Sequence, residues 1–384
     1  MRDEHFRFSI MPYKHKRIIM NAVYSILGRS FVYIAFIVLL SSCSADLSLQ
    51  HETQLTGESL QAVQYSMVFI IHGDGDYVYH DTTGNEYNAD EVTVEKAKAI
   101  AMQNPHAEVF IIHQKPKRHF LFIFPLKDGE FYYYRNGQLI VNESYWRDQE
   151  QSSFKNEFEY YRRFRADSKN EMVNIFLYFG HEIPELGGMG YDASYPERAF
   201  TVHNLANWMK DLTGVSSRFD IIVLSTCYGG TPYTIGTLGT FSQYIIASPE
   251  NLHLSYFDLT LLERLELSLN YDDVQTFTKR FAQQAFERLT DEIQTAVSIV
   301  VYDVDQVKDY HQSIYKNYEN TLRAIRGDSR FYPAAAEHCD CRDIPDFDLP
   351  SISAGVDVLY RPARFGKAKN KQYHSGWECW RNIE

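Results

Sequence analysis

A thiol and an imidazole are the two side chains of this sequence whose placement points to chemistry. Cys227 follows the run Phe219-Asp220-Ile221-Ile222-Val223-Leu224-Ser225 and opens into Tyr228-Gly229-Gly230. His181 follows a second run, Val173-Asn174-Ile175-Phe176-Leu177-Tyr178-Phe179, and then Gly180. Short continuous apolar runs of this kind read as buried strands, and strand carboxyl ends are where open α/β sheets form their sites. A thiol attacks a carbonyl only as the thiolate, so it needs a base or positive field nearby and donors for the oxyanion that forms. His181 is the candidate base, and backbone amides are the candidate donors. The competing reading of a cysteine after a buried strand is a small packed hydrophobe.

The elements around these residues alternate strand and helix. Residues 66–72 read as a buried strand, and a helix starting at Asp90 carries Val92, Val94, Ala97, Ile100 and Ala101 at helical spacing. A strand at 108–112 leads into a β-unit that returns on itself, with strands at 120–124 and 131–134 and turns at Asp128-Gly129 and Asn136-Gly137. This unit is expected as a hairpin insertion or sheet edge, with at least one of Tyr132, Tyr133 and Tyr134 facing solvent. Residues 154–166 carry aromatic and basic residues at helical spacing, and 201–212 place Val202, Leu205, Trp208, Met209 and Leu212 on one helix face. Strands at 242–247 and 296–302 and helices at 256–269, 273–289 and 306–325 complete the alternation. Such a pattern implies an α/β fold whose central sheet is mainly parallel, with helices on both faces. From Phe331 the pattern breaks, and residues 331–384 read as a C-terminal extension that docks on the domain through Trp377 and Trp380.

The chain has 384 residues, 45% of them hydrophobic, which is enough to build a large core. Its net charge of -12 sets the field against a nucleic-acid partner. Lys14, Lys16, Arg17 and Arg29 precede a ten-residue apolar run from Phe31 to Leu40, followed by Ser41-Ser42-Cys43-Ser44. The run is about half of what spans a bilayer, and with the cysteine it reads as a lipoprotein signal, residues 1–42, with Cys43 lipidated. An ordinary signal peptide would keep export and lose the lipid. The expected location is the cell envelope, lipid-anchored at the outer membrane or cell surface, with residues 43–64 as a flexible tether.

Of the remaining cysteines, Cys227 is isolated, while Cys339, Cys341 and Cys379 cluster near the C-terminus. Cys379 can bridge to Cys339 or to Cys341; a bond between Cys339 and Cys341 would be strained. His338 with the three clustered cysteines matches no common zinc spacing, so no metal is expected there. The acidic loop Asp74, Asp76, Asp81 and Glu86 is a candidate calcium site against a default of solvated loop.

Taken jointly, Phe179-Gly180-His181, the helix around Trp208, the strand ending in Thr226-Cys227 and Tyr244-Ile245-Ile246-Ala247-Ser248-Pro249-Glu250 resemble the clostripain-type cysteine peptidases. These share a clan with caspases, legumains and gingipains. The resemblance covers residues 65–325 in element order. It implies a caspase-like three-layer sandwich over residues 65–330 and an endopeptidase acting through a His181/Cys227 dyad and a thioester, with no required cofactor. In that scheme Cys227 is the nucleophile, His181 protonates the leaving amine, and the N–H groups of Cys227 and Glu182 hold the oxyanion. The chain departs from the family at two places, with Glu182 where glycine is usual after the histidine and Ser225 where basic-specific members carry an acid. Ser225 and Asp192 are the candidate substrate-binding residues, and the partner is a peptide or protein. The two departures also support a second reading, a catalytically inactive binding or scaffold lipoprotein on the same fold.

Overall fold

An eight-residue run that is apolar on both of its faces can only be an interior strand. Strand β1 (Tyr65–His72) is buried along its whole length and lies near the middle of a nine-stranded sheet. The computed structural model describes residues 62–75, 77–80, 84–121, 123–147, 154–166, 172–213, 218–252, 257–271, 273–308, 312, 316, 318, 336–344 and 355–382. The expected signal segment 1–42, Cys43, most of the expected 43–64 tether, Asp76, Asp81 and most of the helix expected at 306–325 lie outside these residues. Among the described residues no helix is long and apolar enough to cross a membrane.

The other strands are β2 (Ala107–Gln114), β3 (Gly129–Arg135), β4 (Gln138–Tyr145), β5 (Val173–Phe179), β6 (Phe219–Ser225), β7 (Ser242–Ala247), β8 (Val297–Asp303) and β9 (Val356–Arg361). Their order across the sheet is β9-β8-β7-β6-β5-β1-β2-β3-β4. The five central strands β2, β1, β5, β6 and β7 are parallel. Antiparallel pairs close both edges, the hairpin β3 and β4 beside β2, and β8 with β9, which returns from the C-terminal extension, beside β7.

Strand side chains alternate between faces, so each strand serves two cores. Val68, Ile70, Phe110, Phe176, Ile222 and Leu224 pack under helices α2 (Lys155–Phe164), α3 (Val202–Thr213) and α4 (Pro232–Gly239). Met67, Phe69, Val109, Ile175, Leu177 and Val223 pack under α1 (Ala89–Gln103), α5 (Leu265–Tyr271) and α6 (Val274–Glu292). The period of 3.6 accounts for α6, whose Phe277, Phe281, Ala285 and Leu289 are buried, and the Asp273 side chain caps it by accepting from Thr276 N–H. The result is the three-layer α/β sandwich that the alternation implies.

Several expectations change. Residues 120–124 do not form a sheet strand; His119–Phe120 and Phe124–Pro125 pair only with each other in a small exposed hairpin. Asp128-Gly129 is not a turn, since Gly129 already pairs with Gln114 as the first residue of β3. The turn at Asn136-Gly137 is present, both residues having positive φ. Tyr132, Tyr133 and Tyr134 are all buried, because β4 takes the edge and helices cover both faces of β3; Tyr133 stacks on Phe164 of α2. The helix expected at 256–269 is reduced to a 3₁₀ turn, Thr260–Leu262, ahead of α5.

The C-terminal extension is woven into the domain. It supplies edge strand β9 and a two-stranded ribbon, Ala336–Asp340 with Glu378–Asn382. Cys341 and Cys379 form a disulfide at the base of this ribbon, next to the fully buried Trp377. Cys339 lies opposite Cys379 in the ribbon and is a free thiol. With two of the three clustered cysteines joined to each other, the His338 and cysteine set holds no metal site.

The disulfide closes a loop across a sequence separation of 38. Cys379→Ser should lower the unfolding free energy by about 3–4 kcal/mol, the chain-entropy value for a loop of that size. A denaturant titration of both forms measures the difference.

Candidate active site

Register brings the thiol and the imidazole to one end of the sheet. Parallel pairing sets Ser225 of β6 beside Phe179 of β5, and Phe179 beside Ile71 of β1. Cys227 and His181 each stand two residues beyond a member of that row, so they leave the sheet at the same level. Gly180 permits the departure, since a Cβ there would meet the Tyr178 hydroxyl at 2.7 Å and His72 Cβ at 2.9 Å. Thr226 then joins the two turns directly, its hydroxyl donating to the His181 carbonyl at 2.6 Å.

The His181 ring is fixed by the loop after β1. Its Nε2 lies 2.7 Å from the Gly75 carbonyl, and since a carbonyl only accepts, Nε2 carries a proton and Nδ1 is the nitrogen left for chemistry. A Cβ on Gly75 would sit 2.2 Å from His181 Cδ2, so the loop approaches the ring as closely as glycine permits. Tyr77 packs edge-on to the imidazole at 5.1 Å between centroids, and its hydroxyl donates to the Leu252 carbonyl at 3.4 Å.

Leu252 in turn holds the thiol. Its N–H donates to Cys227 Sγ at 3.3 Å, and its carbonyl lies 3.6 Å from the same sulfur. The 248–252 segment also clasps the next residues, with Tyr228 N–H donating to Glu250 O and Gly230 N–H to Ser248 O. Gly230 has no room for a side chain, because a Cβ would meet the Tyr302 hydroxyl at 2.8 Å and Pro249 N at 2.9 Å. Tyr228 has a φ of 51°, a left-handed conformation unusual for a bulky residue and one that a surrounding framework must impose. Beyond this turn Thr231 caps α4 by accepting from Thr234 N–H at 3.0 Å, with Pro232 in the first helical turn.

Glu182 and Tyr228, the residues after the imidazole and the thiol, are both covered by the C-terminal ribbon. His338 stacks on the Tyr228 ring at 4.0 Å and 4° and pairs with Glu182 at 3.0 Å, while Trp380 packs against the His338 ring itself at 3.7 Å between centroids. Burial pushes the Cys227 thiol pKa up, the Leu252 N–H opposes this, and the Glu182 carboxylate adds to the rise. The thiol is therefore protonated at neutral pH in this arrangement.

The two expected substrate-binding residues are placed differently. Ser225 is the last residue of β6 and fully buried, with its Oγ unpartnered among the described residues, so it offers no surface to a substrate. Asp192 is fully buried as well, in a core ion network. Its carboxylate accepts from His72 Nε2 at 3.0 Å and Arg198 Nε at 2.9 Å, and it pairs with Arg147. Burial alone would raise its pKa; the His72 bond and the two arginines overcome that and hold it well below the usual carboxylate range. Asp74, the first acid of the candidate calcium loop, belongs to the same network through Arg147 at 2.9 Å and Ser194. Glu86 lies at an exposed strand end, and among the described residues no group of three His, Cys, Asp or Glu side chains is arranged to hold a metal ion.

Sequence reasoning missed the roles of Gly75, Tyr77, Thr226, Leu252 and His338 at this site, whereas Trp380 was expected as a docking residue of the extension. Gly75 had a signal in its glycine before the acidic loop. Leu252 acts through its backbone and left none.

No family model matches the chain, and no curated protein is similar to it. Solved structures similar to it include a secreted C11 cysteine protease from Bacteroides thetaiotaomicron, in complex with an irreversible peptide inhibitor, at 13% identity over 68% of this chain and 70% of that one, with a TM-score of 0.45. Another is an inactive zymogen C11 protease from Parabacteroides distasonis, at 13% identity over 67% of this chain and 66% of that one, with a TM-score of 0.42.

The His181 geometry has a direct test. A long-range ¹H–¹⁵N spectrum above pH 8 should show His181 as the Nε2–H tautomer. In Gly75→Ala the added methyl displaces the ring from the Gly75 carbonyl, and that signal should shift or fall to a mixture of tautomers.

Proposed function

We propose that this chain is an exported cysteine endopeptidase of the clostripain-like type, with Cys227 as nucleophile and His181 as proton carrier. The observation that carries the reading is the common strand-end level of the two residues, with the imidazole held through Nε2 so that Nδ1 is left for the thiol and substrate. His181 takes the thiol proton as sulfur attacks the scissile carbonyl carbon, and the carbonyl electrons move onto oxygen. The N–H groups of Cys227 and Glu182 are the proposed donors to that oxyanion. When the tetrahedral intermediate collapses, the C–N bond breaks and His181 gives its proton to the leaving amine. Water, losing a proton to His181, then opens the thioester and releases the carboxylate and the thiol.

The half-buried thiol and the His338 cover favour a second reading, an inactive binding or scaffold protein on this fold. Export and lipidation at Cys43 rest on the N-terminal sequence and belong to either reading.

The two readings separate with an alkylating peptide probe. The wild-type chain should be labelled and should cleave a peptide library, and Cys227→Ala should lose both; a wild-type chain that takes up no probe and cleaves nothing favours the scaffold. The pH dependence has a definite sign. Because burial and the Glu182 charge raise the thiol pKa, alkylation of Cys227 by iodoacetamide should climb with pH beyond the usual thiol range. Glu182→Gln removes one raising cause, so its alkylation curve should move to lower pH than that of the wild-type chain.

A further inference from the structure

A second feature of the molecule is independent of the thiol. The segment between β2 and β3 reads Lys115-Pro116-Lys117-Arg118-His119-Phe120-Leu121-Phe122-Ile123-Phe124-Pro125-Leu126-Lys127, without an acid, in a chain whose net charge is -12. Phe120, Leu121, Ile123, Phe124 and Leu126 are 46–73% exposed, a concentration of large apolar side chains that a soluble surface ordinarily avoids.

The exposure is built. Leu126 N–H donates to Arg118 O at 2.9 Å and Ile123 N–H to Phe120 O at 3.3 Å, closing the hairpin, and Leu121 takes a φ of 51° at its tip. The base is riveted to the domain: Lys115 N–H donates to Asp128 O at 2.8 Å and Lys117 N–H to Ser194 Oγ at 2.7 Å. Asp128 itself accepts from Arg147 N–H at 2.9 Å and from the Tyr195 hydroxyl at 2.5 Å. These bonds fix the base of the hairpin in the orientation that leaves its apolar tip exposed.

We propose that the 118–127 hairpin inserts its apolar tip into an anionic phospholipid surface, with Lys117, Arg118 and Lys127 as the collar at the headgroup level. Apolar side chains at a tip and cations directly behind it match the two layers of a membrane interface in order. Lys115 is engaged with Glu130 and is not counted in the collar. The hairpin follows the carboxyl end of β2, which runs parallel to β1 and β5, so it projects from the sheet end that carries His181. Docking would hold that end toward the membrane.

The test uses a probe local to the tip, so that the apolar N-terminal segment cannot supply the signal. In the full chain carrying Ile123→Trp, the introduced indole should blue-shift and be quenched by brominated lipids in vesicles of phosphatidylcholine with one quarter phosphatidylglycerol, and less so in phosphatidylcholine alone. Adding Lys117→Glu, Arg118→Glu and Lys127→Glu should reduce tip quenching on the anionic vesicles by at least about tenfold in lipid concentration required. These side chains are exposed, so the melting temperature should stay within a few degrees and confirm that each variant is folded. An indole that is unquenched on anionic vesicles overturns the proposal, as does one that blue-shifts without lipid when protein concentration rises, which would assign the tip to a second copy of the chain. Quenching untouched by the charge reversals overturns the collar.

Discussion

The constraint on which the site depends is the parallel register that sets Ser225 beside Phe179 and Phe179 beside Ile71. A shift of one residue would turn every side chain of a strand to the other face and exchange its two cores. Because β5 and β6 are buried on both faces, the register has no room to slip, and the turns that follow inherit its precision. The Thr226 hydroxyl on the His181 carbonyl is a consequence: it can form only where the two strands end at one height.

The loops above that level are fixed by charge. Arg147 lies between Asp74 and Asp192, and Asp192 also takes His72 and Arg198. Removing one partner of such a buried set leaves an uncompensated charge, a loss of about 3–5 kcal/mol, so the network holds its members far more firmly than surface pairs would. Asp74 and His72 flank Gly73, and Gly75 follows at once with the carbonyl that orients His181. The ion network thus positions the imidazole through three residues of backbone.

Much of this was legible in the sequence, and what was not has physical reasons. The buried strands β1, β5, β6 and β7 could be read because continuous apolar runs of that length fit little else. The same rule misread residues 120–124, where an equally apolar run lies on the surface; periodicity reports what a segment would bury and not whether anything covers it. Ser225 was assigned to substrate because it stands where basic-specific members of the resembled family carry an acid, yet a residue still inside a strand points into a core, and parity sends 221, 223 and 225 to the same side. Asp192 lacked any local sign of its partners, since His72 and Arg147 are brought to it by folding. The Glu182 to His338 pair spans 156 positions and was invisible for the same reason.

That pair alters the meaning of Glu182. As a bare charge beside the thiol it reads as a defect, because its carboxylate disfavours the thiolate and puts a negative charge near the proposed oxyanion. Seated against His338, it is one end of a contact that continues through the stacked Tyr228 and His338 rings and the tilted Trp380 ring into a ribbon closed by the Cys341–Cys379 disulfide. Whatever lifts the ribbon separates the carboxylate from its partner and uncovers Tyr228 in the same movement. The surroundings of the thiol therefore include a segment more than a hundred residues away, joined to it through the Glu182–His338 pair and the Tyr228 ring.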